Sequence, residues 1–263
     1  MMSEHAVERA ARVMARARKV VVFTGAGVSR ESGIPTFRDP DEGVWARYDP
    51  VQMATLEGYL RDPAFVWAWY EHRFRAAAAA EPNPGHRAIA DLEQLLPKVT
   101  VVTQNIDGLH QRAGSTDVIE LHGSMHRFSC LHRRHGGFSV DDVAGQHERP
   151  PRCPECGDVI RPDVVWFGEA LPADELRRAQ LLSATCDAML VVGTSAVVFP
   201  AAALPLRAVE AGAVVVDVNP EPSALRSRVS IFLQGRAGDV LPRLVEEIRK
   251  RTAAKPDDAT TPG

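Results

Sequence analysis

The sequence predicts an α/β protein with a doubly wound parallel sheet, and two observations support this prediction. Four short apolar runs, at residues 20–23, 99–103, 188–192 and 213–217, are typical of parallel strands that are covered on both faces. A polar or glycine-containing loop follows each run directly. Because parallel strands deliver such loops to one edge of the sheet, we expect a ligand crevice there, in a large domain of Rossmann-like type.

The composition favours a globular enzyme and excludes several classes of partner. The chain has 263 residues, of which 45% are hydrophobic, which is enough for one sizeable core. Its net charge of -3 provides no global basic field for nucleic acid or an anionic membrane. No apolar run approaches the roughly 20 residues of a membrane helix, and the N-terminus lacks a hydrophobic signal core. We therefore expect a cytoplasmic monomer that binds neither nucleic acid nor membranes.

Two regions interrupt the alternation of strands and helices. Residues from about 39 to 85 are predicted to be helical and end in helix-breaking prolines, whereas residues from about 124 to 163 are rich in His, Arg, Gly and Pro. We interpret both as insertions that form a smaller domain. The large part then comprises residues from about 1–38, 86–123 and 164–251, within one catalytic domain that covers 1–251. The polar segment 252–263 is expected to be a disordered tail.

A glycine-containing loop, Gly25-Ala26-Gly27, follows the first predicted strand. Glycine lets backbone N–H groups approach a pyrophosphate, so this loop indicates a phosphate site. The third glycine of the usual dinucleotide fingerprint is replaced by Arg30, which argues against an ordinary dehydrogenase. The two glycines alone would also fit a tight turn between a strand and a helix.

Six motifs, in order along the chain, resemble those of the sirtuin family. They are residues 25–38, Gln104-Asn105-Ile106-Asp107, Leu121-His122-Gly123, residues 164–169, Gly193-Thr194-Ser195 and Asn219-Pro220-Glu221. The resemblance spans roughly Lys19 to Arg243, nearly the whole chain. It implies an enzyme that consumes NAD as a co-substrate, removes acyl groups from the lysines of proteins or peptides, and releases nicotinamide and O-acyl-ADP-ribose.

The resemblance also implies roles for individual residues. His122 matches the general base that acts on a ribose hydroxyl, a task that suits an imidazole because its ordinary pKa lies near neutral pH. Asn105 is the second predicted catalytic residue. The predicted NAD contacts are Gly25, Ala26, Gly27, Ser29, Pro35, Phe37, Arg38, Trp45, Gln104, Asn105, Ile106, Asp107, Gly193, Thr194, Ser195, Asn219, Pro220, Glu221 and Ala237.

Two further segments are predicted to bind the substrate. Tyr70 and Arg73 resemble the Tyr-x-x-Arg element of the sirtuin branch that removes malonyl and succinyl groups, and residues three apart on a helix can grip one carboxylate together. The alternative is an amphipathic helix with a solvated arginine. The other segment resembles the family tract that pairs with the substrate peptide by strand addition. Its predicted contacts are Val164, Val165, Phe167, Gly168 and Glu169.

The resemblance to the sirtuins implies a structural zinc ion held by two cysteine pairs. This sequence departs from that pattern. The second pair is Cys153 and Cys156, but the first offers only Cys130. Zinc accepts three thiolates and one imidazole, so His135 or His132 is expected to complete a zinc-ribbon-like site. The alternative is a degenerate site without metal.

Three other functions remain open from the sequence. The first is ADP-ribosyl transfer to a protein acceptor, and the second is a module that binds NAD or ADP-ribose without turnover. The third is nucleic-acid binding by the predicted zinc ribbon through Arg127, Arg133 and Arg134, which the negative net charge disfavours.

Overall fold

The computed structural model describes residues 4–36, 44–132 and 135–253, which contain helices α1–α11, one 3₁₀ helix and strands β1–β9. The helices are α1 (Glu4–Met14), α2 (Val44–Arg47), α3 (Pro50–Met53), α4 (Leu56–Arg61), α5 (Pro63–Ala79), α6 (Pro84–Leu95), α7 (Leu109–Arg112), α8 (Val140–Ala144), α9 (Ala173–Thr185), α10 (Ala203–Glu210) and α11 (Ala237–Ala253), with the 3₁₀ helix at Ala26–Ser32. The strands are β1 (Val20–Thr24), β2 (Val99–Thr103), β3 (Val118–Glu120), β4 (Gly123–Cys130), β5 (Gly136–Phe138), β6 (Ile160–Val164), β7 (Ala188–Val192), β8 (Val214–Asn219) and β9 (Ile231–Gln234).

Six parallel strands form the main sheet in the order β3-β2-β1-β7-β8-β9. The winding direction reverses between β1 and β7, which confirms the predicted doubly wound architecture. The four predicted strands are all present, although the last runs to Asn219 and not to Asp217. The edge strands β3 and β9 were not predicted, because runs of three and four residues give too little periodicity to recognise.

Strand β1 shows how the sheet is buried on both faces. Val20 and Val22 belong to an apolar core shared with α1, α6 and α11. Val21 and Phe23 point the other way, into a second core that includes residues of α9 and α10. Because side chains alternate along a strand, only a continuous apolar run can serve both cores. This requirement explains why the strands were recognisable from the sequence.

The two predicted insertions meet in a separate core. The first contains α2–α5 in its described part, and the second contains the three-stranded antiparallel sheet β5-β4-β6 with α8. Tyr59 and Trp69 of the first insertion pack in one cluster with Met125 of the second. Strand β6 ends at Val164, one residue beyond the predicted boundary. This shared core supports our proposal that the insertions form a smaller domain.

The last helix extends slightly beyond its predicted end. Helix α11 runs to Ala253, and the Thr252 hydroxyl donates to the backbone carbonyl oxygen of Ile248, 3.2 Å away, as in a continuing helix. Thr252 and Ala253 therefore belong to this helix and not to the predicted tail, whose other residues lie outside the described ranges. Within the described residues, no helix combines the length and apolar character required to cross a membrane.

Candidate functional site

A cavity of about 1190 Å³ opens at the carboxyl edge of the main sheet. The loops after β1, β2, β7, β8 and β9 contribute to its wall, as expected for a doubly wound fold. The predicted site residues that line it are Gly25, Ala26, Gly27, Tyr70, Arg73, Gln104, Asn105, Ile106, His122, Val164, Val165, Phe167, Gly168, Glu169, Gly193, Thr194, Ser195, Asn219, Pro220, Glu221 and Ala237. The fold thus brings together segments that are far apart in the sequence.

Three of the predicted NAD contacts that the structure describes do not line the cavity. Ser29 and Asp107 are buried, at 1% and 4% exposure, behind its wall. Pro35 is exposed and does not contribute to the lining. Phe37 and Arg38, with the side chain of Trp45, lie outside what the structure describes.

Ser29 and Asp107 act on the cavity through Asn105. The Ser29 hydroxyl donates to Asp107 Oδ2 at 2.8 Å, so its oxygen is left to accept a hydrogen bond from Asn105 Nδ2 at 3.0 Å. Asp107 Oδ1 also accepts from the backbone N–H of Leu109 at 3.0 Å. This network turns the amide nitrogen of Asn105 toward Ser29, which leaves its amide oxygen to contact a ligand. Burial raises the pKa of Asp107, while the donors from Leu109 and Ser29 oppose that rise.

His122 is held at the junction of β3 and β4. Its Nδ1 lies 2.9 Å from the backbone carbonyl oxygen of Gln104. A carbonyl oxygen only accepts, so Nδ1 carries the proton and Nε2 is the basic nitrogen of the neutral ring. The backbone N–H of Gln104 in turn donates to the backbone carbonyl oxygen of Thr24 at 3.0 Å. The half-buried imidazole therefore lines the cavity in the tautomer that a general base requires.

The glycine loop permits two strand ends to approach closely. The N–H groups of Gly25 and Gly27 donate to the carbonyl oxygens of Val192 and Gly193, at 3.1 and 2.8 Å. A Cβ atom on Gly27 would lie only 2.7 Å from the carbonyl oxygen of Gly193. These two amides are thus engaged between the loops, and the absence of side chains is what lets the loops meet at the centre of the cavity.

Asn219, held by a buried carboxylate, joins the end of β8 to the loop after β7. Asp217 is fully buried and accepts from Asn219 Nδ2 at 2.9 Å and from the Ser223 hydroxyl at 2.7 Å. Asn219 Nδ2 also donates to the backbone carbonyl oxygen of Thr194 at 3.1 Å. Burial raises the pKa of Asp217, and its two hydrogen bonds oppose that rise. The predicted cofactor residues Thr194 and Asn219 are therefore fixed relative to each other.

Tyr70 and Arg73 lie on the helical side of the cavity. Tyr70 is 6% exposed, and burial raises its phenol pKa to about 12. The Arg73 guanidinium carbon lies 4.9 Å from the centroid of the Trp69 ring, and burial lowers the pKa of Arg73. An arginine that faces a cavity and stacks on an indole is not the solvated arginine of the alternative interpretation. The phenol and the guanidinium are thus both presented to a ligand.

The segment after β6 is tied to the rest of the cavity by its backbone. The N–H of Val165 donates to the backbone carbonyl oxygen of His122 at 2.9 Å. The N–H of Phe167 donates to the backbone carbonyl oxygen of Ala54 at 2.8 Å. The N–H of Trp166 donates to the Glu169 carboxylate at 2.9 Å. A fully buried guanidinium, that of Arg161, forms an ion pair with the same carboxylate. The predicted contact Glu169 therefore braces its own segment.

Other residues that line the cavity escaped the sequence analysis. They are Arg30, Glu31, Thr36, Ala54, Trp69, Trp166, Leu171, Val197, Val198, Phe199, Pro200, Val218, Pro222, Ser223, Ala224 and Arg236. Most lie inside or just beyond the six motifs, so a wider window around each motif would have included them. Ala54 had no such signal, because only the packing of α3 brings it to the cavity.

Four ligand atoms gather near the end of β4, where Cys130 is the last residue of the strand. They belong to Cys130, His135, Cys153 and Cys156 and all lie within 4.8 Å of one another. His135 Nδ1 is 4.0 Å from Cys130 Sγ and 3.7 Å from Cys153 Sγ. Tetrahedral zinc, with bonds of about 2.3 Å to sulfur and about 2.0 Å to nitrogen, separates its ligand atoms by roughly 3.5 to 4 Å. The three thiolates and one imidazole therefore fit a structural zinc ion.

The structure distinguishes between the two candidate histidines. His135 supplies the imidazole of the cluster, whereas His132 Nε2 lies 3.8 Å from the Asp158 carboxylate and is largely exposed. The complete set of four ligands argues against the alternative of a degenerate site. The three predicted cysteine ligands lie together in this cluster.

The arginines proposed for nucleic-acid binding do not form a described basic face. Arg127 pairs with Glu120 at 2.7 Å and with Asp163 at 3.6 Å, so two carboxylates neutralise it. Arg133 and Arg134 lie outside the described residues. Nothing in the described part of the chain therefore favours this function.

The comparisons agree with the geometry. The sequence model of the Sir2 family matches residues 25–200. NAD-dependent protein deacylase 2 of Pyrobaculum aerophilum is 52% identical over 250 residues, which cover 95% of this chain and 98% of that protein. A mutant Sir2 homologue in complex with ADP-ribose has a TM-score of 0.90 at 41% identity, covering 97% of this chain and 100% of the other. Sir2Af2 bound to a myristoylated histone peptide has a TM-score of 0.77 at 38% identity. The match covers 96% of this chain and 100% of that one.

Proposed function

Because the chain belongs to the Sir2 family and is an NAD-dependent protein deacylase, we propose that it favours succinyl- and malonyl-lysine over acetyl-lysine. NAD is consumed, and the products are nicotinamide, free lysine and O-acyl-ADP-ribose. One observation carries the acyl preference: Tyr70 and Arg73 lie together in the wall of the cavity that also contains His122.

The catalytic end of the cavity suits the cleavage of NAD. NAD supplies a ribose carbon that can accept the acyl oxygen and a nicotinamide that leaves. The amide oxygen of Asn105, oriented by Ser29, matches the N–H donors of a carboxamide. His122 presents Nε2 as the base that takes a proton from a ribose hydroxyl. A base held in this tautomer supports turnover over simple binding of NAD.

The acyl end of the cavity suits a carboxylate. Arg73 is charged at any physiological pH even though burial lowers its pKa, because a guanidinium does not lose its proton in proteins. Its planar fork matches the geometry of a carboxylate, and the Tyr70 phenol adds one more donor. Partial burial strengthens such a pair, since less water competes for either group. An acetyl group has no carboxylate and gains nothing from this pair.

The peptide chain is proposed to bind along the segment from Val164 to Glu169. The N–H groups of Val165, Trp166 and Phe167 already donate within the protein. A substrate strand is therefore expected to use carbonyl oxygens of this segment, so that its own N–H groups donate. Backbone pairing of this kind makes few demands on the side chains of the peptide.

The test compares succinyl- and acetyl-lysine peptides for the native protein and for Arg73→Met. Loss of a hydrogen bond to a charged group should raise KM for the succinyl peptide by about 10- to 100-fold, while KM for the acetyl peptide stays within about twofold. Arg75→Met is the matched control, because Arg75 lies on the same helix but is exposed and pairs with Glu71. Equal losses on both peptides would eliminate the carboxylate preference.

The two alternatives of ADP-ribosyl transfer and of NAD binding without turnover have a direct test. A protein that releases nicotinamide only when a protein acceptor is present, without removing acyl groups, would be an ADP-ribosyltransferase. A protein that binds NAD but releases no nicotinamide with any acyl-lysine peptide would be a binding module. We expect nicotinamide and deacylated peptide to appear in equal amounts.

A further inference from the structure

Trp166 controls the hydroxyl group of Tyr70. The Trp166 Nε1 donates to the Tyr70 hydroxyl oxygen at 2.9 Å, and the two residues are only 2% and 6% exposed. An indole nitrogen can only donate, so the phenol oxygen is the acceptor and its own hydrogen points elsewhere. None of the described residues accepts that hydrogen. Since Tyr70 lines the cavity, a ligand there can accept it.

The indole of Trp166 is held rigidly in this position. The Arg161 guanidinium carbon lies 3.4 Å from the centroid of the Trp166 ring, and Arg161 is 1% exposed. The same guanidinium donates to Glu169 Oε2 at 2.9 Å, and that carboxylate also accepts the backbone N–H of Trp166. The Tyr59 ring packs 5.1 Å away, centroid to centroid. A cation over an indole face draws electron density from the ring, which strengthens the N–H as a donor.

We propose that Trp166 is a positioning residue for acyl selection. Its N–H occupies one lone pair of the Tyr70 oxygen, so the phenol hydrogen is aimed at the acyl carboxylate beside the Arg73 guanidinium. This inference rests on the proposed preference for acidic acyl groups. A donor whose direction is fixed before the substrate arrives loses less freedom on binding, so the arrangement favours acyl groups that carry an acceptor. An acetyl group receives no such benefit.

The test is a double-mutant cycle with Trp166→Phe, Tyr70→Phe and the combined variant. Trp166→Phe should raise KM for a succinyl peptide about fivefold, as expected for one hydrogen bond, and change kcat and the acetyl KM by less than about twofold. When Trp166→Phe is added to the Tyr70→Phe protein, it should not change KM further, because the phenol oxygen that accepts the indole hydrogen bond is gone. Trp67→Phe is the matched control: Trp67 is buried on α5, and its indole N–H has no partner among the described residues.

A second measurement uses only the Tyr70→Phe variant, in which Trp166 keeps its native packing. Hydrogen exchange of the Trp166 indole N–H, followed by NMR, should be faster than in the native protein. Unchanged exchange would overturn the inference, as would an equal effect of Trp166→Phe in both backgrounds. A native protein without any preference for the succinyl peptide would remove the proposed acyl preference and this inference together. A succinyl-preferring protein with additive effects would remove only the inference.

Discussion

The imidazole of His122 and the backbone carbonyl oxygen of Gln104 are joined by a hydrogen bond of 2.9 Å, which makes Nε2 the base. We predict that His122→Asn lowers kcat for deacylation by about 10²- to 10⁴-fold, the usual contribution of a positioned base. In the proposed reaction the base acts on a ribose hydroxyl after nicotinamide has left, so nicotinamide exchange should survive. The two assays on one preparation check this.

The control for His122 is His72→Asn, at an exposed position of α5. It should leave both activities unchanged. If exchange and deacylation fall in parallel in His122→Asn, the imidazole is required before nicotinamide departs.

Removal of the Ser29 hydroxyl should loosen Asn105. Ser29→Ala breaks the link from Asn105 Nδ2 to Asp107 and leaves a buried carboxylate with one donor fewer. We expect KM for NAD to rise about tenfold, as for the loss of a hydrogen bond in a buried network. Steady-state kinetics with saturating peptide measure this. Ser183→Ala is the matched control, because the Ser183 hydroxyl is fully buried without a partner among the described residues; an equal effect there would contradict the assigned role.

The metal cluster predicts different outcomes for the two neighbouring histidines. His135→Ala should lose zinc and lower the unfolding temperature, since a structural zinc ion contributes directly to folding. His132→Ala should keep one zinc ion per chain, because His132 faces Asp158. Metal content measured by atomic emission, with thermal unfolding, checks both. Zinc retained by His135→Ala would contradict the ligand assignment.

The buried His86 and His110 predict a loss of stability in mild acid. Burial lowers the pKa of His86 to about 4 and of His110 to about 3, from an ordinary 6.5. Both are neutral in the native state between pH 7 and pH 5, while the unfolded chain gains protons below about 6.5. The free energy of unfolding therefore falls as the pH falls, by about 2 kcal/mol for each histidine at pH 5. The raised pKa of Asp107 acts in the opposite direction.

A comparison of variants isolates the histidine contribution. Denaturant unfolding measured at pH 7 and at pH 5 gives the loss in free energy of unfolding between these pH values. This loss should be about 2 kcal/mol smaller for His110→Gln than for the native protein. His72→Gln, at an exposed position, should behave like the native protein. If His110→Gln and the native protein show the same pH dependence, the His110 ring is not held neutral.

Much of the fold was predictable because its signals are local. A strand buried on both faces must be continuously apolar, so β1, β2, β7 and β8 were visible in the sequence. The edge strands β3 and β9 are short, and the antiparallel sheet around β4 has no strong alternation, so neither could be predicted. Strand β5 has only three residues, and the pairing of β4 with β6 shifts register between Ser124 and Phe128, so no regular pattern marks these strands.

The sequence by itself determined the doubly wound fold, the polar loops at the sheet edge and the identity of His122 as the candidate base. Only the tertiary structure decided that His135 and not His132 joins the cysteines, that Ser29 and Asp107 stand behind Asn105, and that Trp166 donates to Tyr70. The physical reason is distance along the chain. Trp166 and Tyr70 are 96 residues apart, and their hydrogen bond exists only because β6 packs its following segment against α5.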